Sequence, residues 1–408
     1  MEYQQILNPQ QNTTKQVSFE DLENTIKRHL LITDDGIIRV LVACVLANLC
    51  LADPVWLLIV APSGGAKTEL LRGLNGLDFI YPISDLTPQT FLSGMKYTNG
   101  SLLLRLESGT IITMKDFTTV LAMHPDKRGA ILSQLREIYD GDFRKEFGTG
   151  ESKSWQGKIG FIGGVTSVID QHQMVYQTLG ERFIQYRPTQ PDPIKLAERA
   201  MGNNGIEVEM REEIQQAFKD YIEGVEIPDK QPVLPDVYKS RIVHLAVLCA
   251  NARSGVIREG RGSREIELVP EQEQPTRLVK QYSNLFNSLA LISGKHTDED
   301  YALLYKIGMD SLPTLRRRII EFLAKAEAPC TVKDIAEAVH YPANTTSRQL
   351  EELMYLDLIK RNDKRQPYGY ELLERTKDIL NKAQMPIKQS VEDNETLPDK
   401  SEGQLSDE

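Results

Sequence analysis

Apolar positions along this chain follow two different spacings. In SFEDLENTIKRHL (18–30) they recur three and four apart, the spacing of one buried helix face. Ser18 stands where a cap belongs, with Asp21 three positions later. Residues 40–61, VLVACVLANLCLADPVWLLIVA, are almost continuously apolar and about as long as a bilayer span. Asp53-Pro54 interrupts them, however, and proline ends a helix rather than continuing one. The pattern therefore predicts a buried helix over about 37–52, a turn, and a buried strand over 55–61. TIITMKDF (110–117) and KIGFIGGVTSVID (158–170) read as further strands, with a helix and a hairpin between them at 130–150. Strands alternating with helices predict an α/β layered core. Residues 194–294 are mostly helical, with loops rich in glycine and charge at 201–205 and 254–275.

A separate pattern occupies 312–375. LPTLRRRIIEFLAKAE places Leu315, Ile319, Ile320 and Leu323 at helical spacing, and Thr331 with Asp334 caps a second helix, TVKDIAEAVH. A turn at Tyr341-Pro-Ala-Asn leads into TTSRQLEELMYLDL, then a short strand, LIKRN, a polar turn, DKRQPYG, and a second strand, YELL. This is the order of a winged helix-turn-helix. From Pro386 onward seven acids face two lysines with almost no large apolar residue, which predicts a disordered tail. The chain thus divides into an N-terminal helical segment (1–36), an α/β core (37–192), a helical region (193–311), the winged helix (312–380) and an acidic tail (381–408).

Composition narrows the function classes. A length of 408 residues allows two to four domains, and a charge of −10 (48 basic, 58 acidic) excludes a chain that coats nucleic acid along its length, though not a local basic surface. Cys44, Cys50, Cys249 and Cys330 form no CxxC pair and no disulfide framework, and the six histidines are isolated. The N-terminus has neither the basic start nor the apolar core of a signal peptide, so a cytoplasmic protein with no membrane span is expected.

The most informative segment runs from Val55 through PSGGAKT to Glu69. A buried strand enters a glycine-rich turn, and a helix opens at Lys67. Nucleotide phosphates ask for this order, because the backbone N–H groups of the loop and of the helix start surround them where the helix dipole favours negative charge. Ser63, Gly64, Gly65, Ala66, Lys67, Thr68 and Glu69 are the binding candidates, Lys67 for the β- and γ-phosphates and Thr68 for Mg²⁺. Ala66 stands where the usual pattern has glycine, which is tolerable at negative φ and costly at positive φ.

With the motifs downstream, the chain resembles AAA+ ATPases, nearest the minichromosome-maintenance-like helicase and primase-helicase ATPases of phages and mobile elements, over residues 37–295. The resemblance implies ATP and Mg²⁺ as cofactors and a P-loop NTPase core with a helical lid. It places the Walker B position at Lys115-Asp116, where one carboxylate stands instead of two, with Glu107 as a substitute. Asp116 then serves Mg²⁺ or the attacking water; alternatively it is only a helix-start residue. The resemblance also implies sensor 1 at Thr166 or Ser167, and a channel-facing acid near Glu137 followed by a hairpin carrying Arg144 and Lys145. Arg182 in LGERFI matches the arginine finger that completes a neighbour's site; alternatively it pairs with Glu181 or another nearby acid. The lid arginine is Arg277, after Pro275, or else Arg241 or Arg253.

The winged helix offers Arg348 at the start of its recognition helix and Lys360, Arg361, Lys364 and Arg365 on the wing as a phosphate-contacting stripe, the alternative being a protein-docking module. Together these features predict an ATP hydrolase of the DNA helicase or translocase class, working on DNA as a homo-oligomeric ring (a hexamer by preference) in replication of a mobile element, with other replication proteins as further partners. The competing expectation is a nucleotide-binding switch with weak hydrolysis that places the winged helix on DNA as a regulator or origin binder.

Overall fold

The computed structural model describes residues 17–95, 100–172, 182–259, 265–363 and 366–384. Helix α1 (Phe19–His29) is closed by the expected capping box, in which Ser18 and Asp21 satisfy each other's backbone N–H groups. Helix α2 (Gly36–Leu49) and strand β1 (Trp56–Val60) replace the uninterrupted apolar run. Asn48 locks the turn between them. Its amide donates to the Cys44 and Val55 carbonyls (2.8 and 2.7 Å) and its oxygen accepts from Val55 N–H (3.1 Å).

Five parallel strands form the central sheet in the order β2-β3-β6-β1-β7: β2 (Ile80–Ile83), β3 (Ile111–Met114), β6 (Gly160–Val165) and β7 (Phe183–Tyr186) join β1. Every residue of β1, β3, β6 and β7 is buried, as in a sheet covered on both faces. Side chains alternate accordingly. Leu57 and Ile59 face a core shared with α2, with α3 (Lys67–Gly73) and with the helical region. Trp56, Leu58 and Val60 face a second core with α4 (Thr118–Leu121) and α5 (Pro125–Asp140). Between α5 and β6 the predicted hairpin is present as β4 (Asp142–Glu146) paired with β5 (Ser152–Gln156).

The helical region comprises α6 (Pro193–Gly202), α7 (Glu207–Glu223), α8 (Asp236–Arg253), α9 (Thr276–Ser293) and α10 (Asp298–Asp310). Within the stretch expected to be loop, β8 (Ile257–Arg258) and β9 (Ile266–Leu268) make a short antiparallel pair. Strands this short leave no periodic signal. The C-terminal region is a helix-turn-helix, α11 (Thr314–Lys325), α12 (Val332–Val339) and α13 (Ala343–Tyr355). Strands β11 (Ile359–Asn362) and β12 (Gly369–Leu372) follow as an antiparallel hairpin, with β10 (Cys330–Thr331) on the outer side of β12, and α14 (Glu374–Ala383) closes the chain.

This region is docked firmly on the helices before it. α14 lies along α8, and Tyr301 Oη donates to the Ala383 carbonyl (2.7 Å). Arg316, 1% exposed, donates to the Ala252 and Ser254 carbonyls (3.1 and 2.6 Å) and to Glu352 (2.9 Å). Among the described residues no helix is long and apolar enough to cross a membrane. The expected acidic tail lies outside them from residue 385 onward.

Candidate functional site at the C-terminal edge of the sheet

β1 ends at Val60, and the chain turns through residues 61–66 into α3, which opens at Lys67. Gly64 takes φ +81°, a conformation that side-chain-bearing residues rarely adopt, and a Cβ built there meets nothing within 4 Å, so the space above the loop is open. Ala66 has φ −61° and ψ −14°. At this negative φ alanine carries no strain, which answers the question its position raised.

Lys67 is 5% exposed and its ammonium donates to the Pro62 carbonyl (2.7 Å), curling back across its own loop. Burial lowers its pKa, and the nearby Asp116 carboxylate opposes that shift. The side chain reaches this position because β6 carries glycine beneath it. A Cβ on Gly164 would lie 3.3 and 3.4 Å from Lys67 Cδ and Cε and 2.5 Å from the Lys115 carbonyl oxygen. Gly163-Gly164 inside a strand is the sequence signal of such a close approach. Thr68, the next residue of α3, is half-buried. The Glu69 carboxylate is committed elsewhere, to Arg211 of α7 (2.9 Å) and to Arg72. It therefore ties α3 to α7.

Asp116 and Thr166 stand at the same edge, just past the ends of β3 and β6. Asp116 is exposed and accepts from Thr118 N–H (2.9 Å). Thr118 Oγ1 accepts from Thr166 N–H (3.1 Å) and lies 3.3 Å from Thr166 Oγ1. The phosphate-loop, Walker B and sensor candidates, drawn from three segments more than a hundred residues apart at the extremes, thus converge. Glu107 does not join them. It precedes β3 and lines a cavity of about 960 Å³ at the opposite edge.

The donor set fits an anionic ligand: an open glycine turn, a helix start, and a buried ammonium with one carbonyl partner. For a divalent cation the edge supplies the Thr68 hydroxyl and the Asp116 carboxylate, a pair suited to Mg²⁺ that also holds phosphate oxygens.

Four arginines read as phosphate contacts stand away from this edge of their own chain. Arg182 precedes β7, at the edge opposite its own loop, on the order of 15 Å away by strand length. It is 4% exposed, donates to Asp140 (2.7 Å) and lies over the Tyr139 ring (5.8 Å). The pairing with a nearby acid holds, with Asp140 as the acid, and a finger projecting to a neighbour does not describe this side chain as it stands. Arg277, at the start of α9, is electrostatically coupled to Arg182 and pairs with Glu273 (3.5 Å), so it too sits at the far edge. Arg241 pairs with Asp298 (3.2 Å) and covers the Tyr238 and Tyr301 rings within the helical region, and Arg253 is buried on Glu273 (2.9 Å). For the three helix arginines the cause is common: helix periodicity does not reveal which neighbour a helix residue will meet.

On the hairpin, Lys145 is folded inward onto the Pro88 and Leu92 carbonyls (3.0 and 3.1 Å), while Arg144 stays exposed beside Glu146 (2.9 Å). On the helix-turn-helix, Arg348 is exposed near the start of α13. Lys360 pairs loosely with Glu371 (3.4 Å), and Arg361 pairs with Asp363 (2.6 Å) over the Tyr368 ring (4.5 Å). Lys364 and Arg365 lie outside the described residues, as do the residues just before Arg182.

Residues 318–363 match the IclR helix-turn-helix domain family, in agreement with the helices found there. A crystal structure from Cytophaga hutchinsonii ATCC 33406, described as that of a "putative ATPase", is similar over 72% of this chain and 85% of that chain, at 12% identity and a TM-score of 0.40. No curated protein matches the chain.

Proposed function

We propose that the chain is a Mg–ATP-dependent P-loop ATPase of AAA+ type, with a helical lid and a winged helix that engages DNA, of the helicase or translocase class acting in mobile-element replication. The observation that carries the nucleotide half is the convergence of the Lys67 loop, Asp116 and Thr166 on one strand edge. In this reading the backbone N–H groups of 63–67 and the Lys67 ammonium hold the phosphates, Lys67 turning away from the Pro62 carbonyl to do so. Thr68 and Asp116 would hold Mg²⁺, with Thr166 at the same strand edge as the sensor candidate. Bound Mg–ATP supplies the phosphoryl group that is transferred to water.

The DNA half is supported by the exposed start of α13 with Arg348 and by Lys360 and Arg361 on the adjoining hairpin. Assembly into a ring is supported by α6, which buries no residue and leaves Ile194 and Met201 69% and 82% exposed.

A second reading has its own observation. Lys115 stands where a second acid is expected, and Glu107 is at the wrong edge to replace it. One carboxylate suits a nucleotide-binding switch with weak hydrolysis that positions the winged helix. Steady turnover of Mg–ATP, measured with and without single-stranded DNA, separates the two. The ATPase reading expects turnover that rises with DNA, and the switch expects saturable binding without it. Failure to bind Mg–ATP contradicts both.

A further inference from the structure

The joint between the helical region and the helix-turn-helix is built on the strand edge that carries the loop. β7 leaves the sheet beside β1 at Tyr186, and the next residue, Arg187, is devoted to this joint. Its guanidinium forks onto Asp170 (3.0 and 2.7 Å). Its Nε donates to the Asp310 carbonyl (2.9 Å), and its backbone N–H donates to the Asp310 carboxylate (2.8 Å). Asp310, the last residue of α10, is 0% exposed and also receives Lys306 (2.6 Å) and Arg317. Ser311 Oγ accepts from Gln185 N–H (2.9 Å), and Thr314, which opens α11, donates to Asp170 (2.7 Å).

The other end of this network is the nucleotide edge. Asp170 lies in the 3₁₀ segment Ser167–His172, directly after Thr166, and Ile169 N–H closes that turn on the Thr166 carbonyl (3.1 Å). Bonded groups therefore run without a break from Asp116 through Thr118 and Thr166 to Asp170, Arg187, Asp310 and Thr314. A forked Arg–carboxylate pair holds one geometry and is poorly made in any other. A shift of the turn after Thr166 must then carry α11 with it or break the fork. The fork as made and the fork broken would be the two arrangements that coupling between sites requires.

We infer that Asp170 and Arg187 are positioning residues through which occupation of the loop resets the seat of the helix-turn-helix. The inference rests on the nucleotide-binding reading above. It adds a route by which that site acts on the C-terminal region, one that no motif in the sequence marks.

The test uses the full chain and the non-hydrolysable probe AMP-PNP with Mg²⁺. Its affinity is measured by calorimetric titration and its effect on residues 311–325 by amide hydrogen exchange, in the wild type, Asp170→Asn and Thr314→Val. In the wild type the probe should change exchange in 311–325 by about fivefold or more, the low end of ordinary coupling between sites. Asp170→Asn should bind the probe within about threefold of wild type while that change falls below about twofold. A purely structural role would alter exchange equally with and without probe and leave the difference intact. Thr314→Val removes one hydroxyl contact and no charge, so it reports even if Asp170→Asn fails to fold, and it should shrink the difference. A wild type that binds AMP-PNP with no change in 311–325, or variants that keep the wild-type difference, overturns the inference while leaving the nucleotide reading intact. A wild type that binds no AMP-PNP removes that reading and this inference with it.

Discussion

At the C-terminal edge of the sheet, a buried lysine with one carbonyl partner lies beneath an open glycine turn, and the neighbouring carboxylate, Asp116, is exposed. At the N-terminal edge, some five residues along the same strands, Arg182 is buried on Tyr139 and Asp140, with Arg277 and Glu273 close by. Both edges contain buried cations, but the partners differ: the Lys67 ammonium is held by the Pro62 carbonyl and the Arg182 guanidinium by the Asp140 carboxylate. An ammonium held by a carbonyl can exchange that partner for an anion at little cost, whereas a guanidinium already paired with a carboxylate must first break a charge-assisted bond. Burial and charge alone therefore do not mark a site. What marks it is a charge whose partner can be replaced and a space beside it that is open.

Substitutions that treat the two edges differently test this contrast. The largest effect is expected from Asp116→Asn, which should reduce Mg–ATP turnover by about two orders of magnitude or more while nucleotide still binds. Glu107→Gln, at the other end of the same strand, should leave turnover unchanged, and the reverse pattern would move the Walker B role to Glu107. Gly164→Val comes next. It drives a branched side chain into the Lys115 carbonyl and the Lys67 stem, so a loss of about 1–3 kcal/mol in stability is expected together with weakened nucleotide binding. Chemical denaturation and a nucleotide titration read the two effects separately.

Arg182→Ala should lower stability by about 1–2 kcal/mol, discounted because Asp140 remains half-exposed, and should leave nucleotide affinity unchanged. If mixing it with Lys67→Ala subunits restores turnover that each lacks alone, Arg182 does leave Asp140 in the assembly and serves a neighbour. The smallest effect belongs to Ala66→Gly. Since φ there is already negative and Ala66 is the N-cap, where glycine is tolerated at least as well as alanine, restoring the usual glycine should gain no affinity and leave stability nearly unchanged in chemical denaturation. A clear gain in affinity would mean that the loop adopts a positive φ at this position when nucleotide binds.

The same contrast explains what the sequence reveals. Lys67, Asp116 and Thr166 are legible because each follows a buried strand, and parallel strands bring their C-terminal ends to one edge. The capping pairs Ser18–Asp21 and Thr331–Asp334 and the apolar faces of α11–α13 are legible because they are local. The partners of Arg241 and Arg277 are not legible because they depend on how helices cross, which no local pattern encodes. The Asp170–Arg187–Asp310 joint is invisible for the same reason: its members are 17 and 123 residues apart and meet only after the sheet and the helical region have packed.

Whether Lys67 is held ready for an anion at the C-terminal edge is measured most directly by a calorimetric titration of Mg–ATP into the wild-type chain and into Lys67→Ala. Saturable binding is expected in the wild type, with a loss of about 3 kcal/mol, a hundredfold or more in affinity, in the variant. Equal affinity in both, with both proteins folded, would contradict the account.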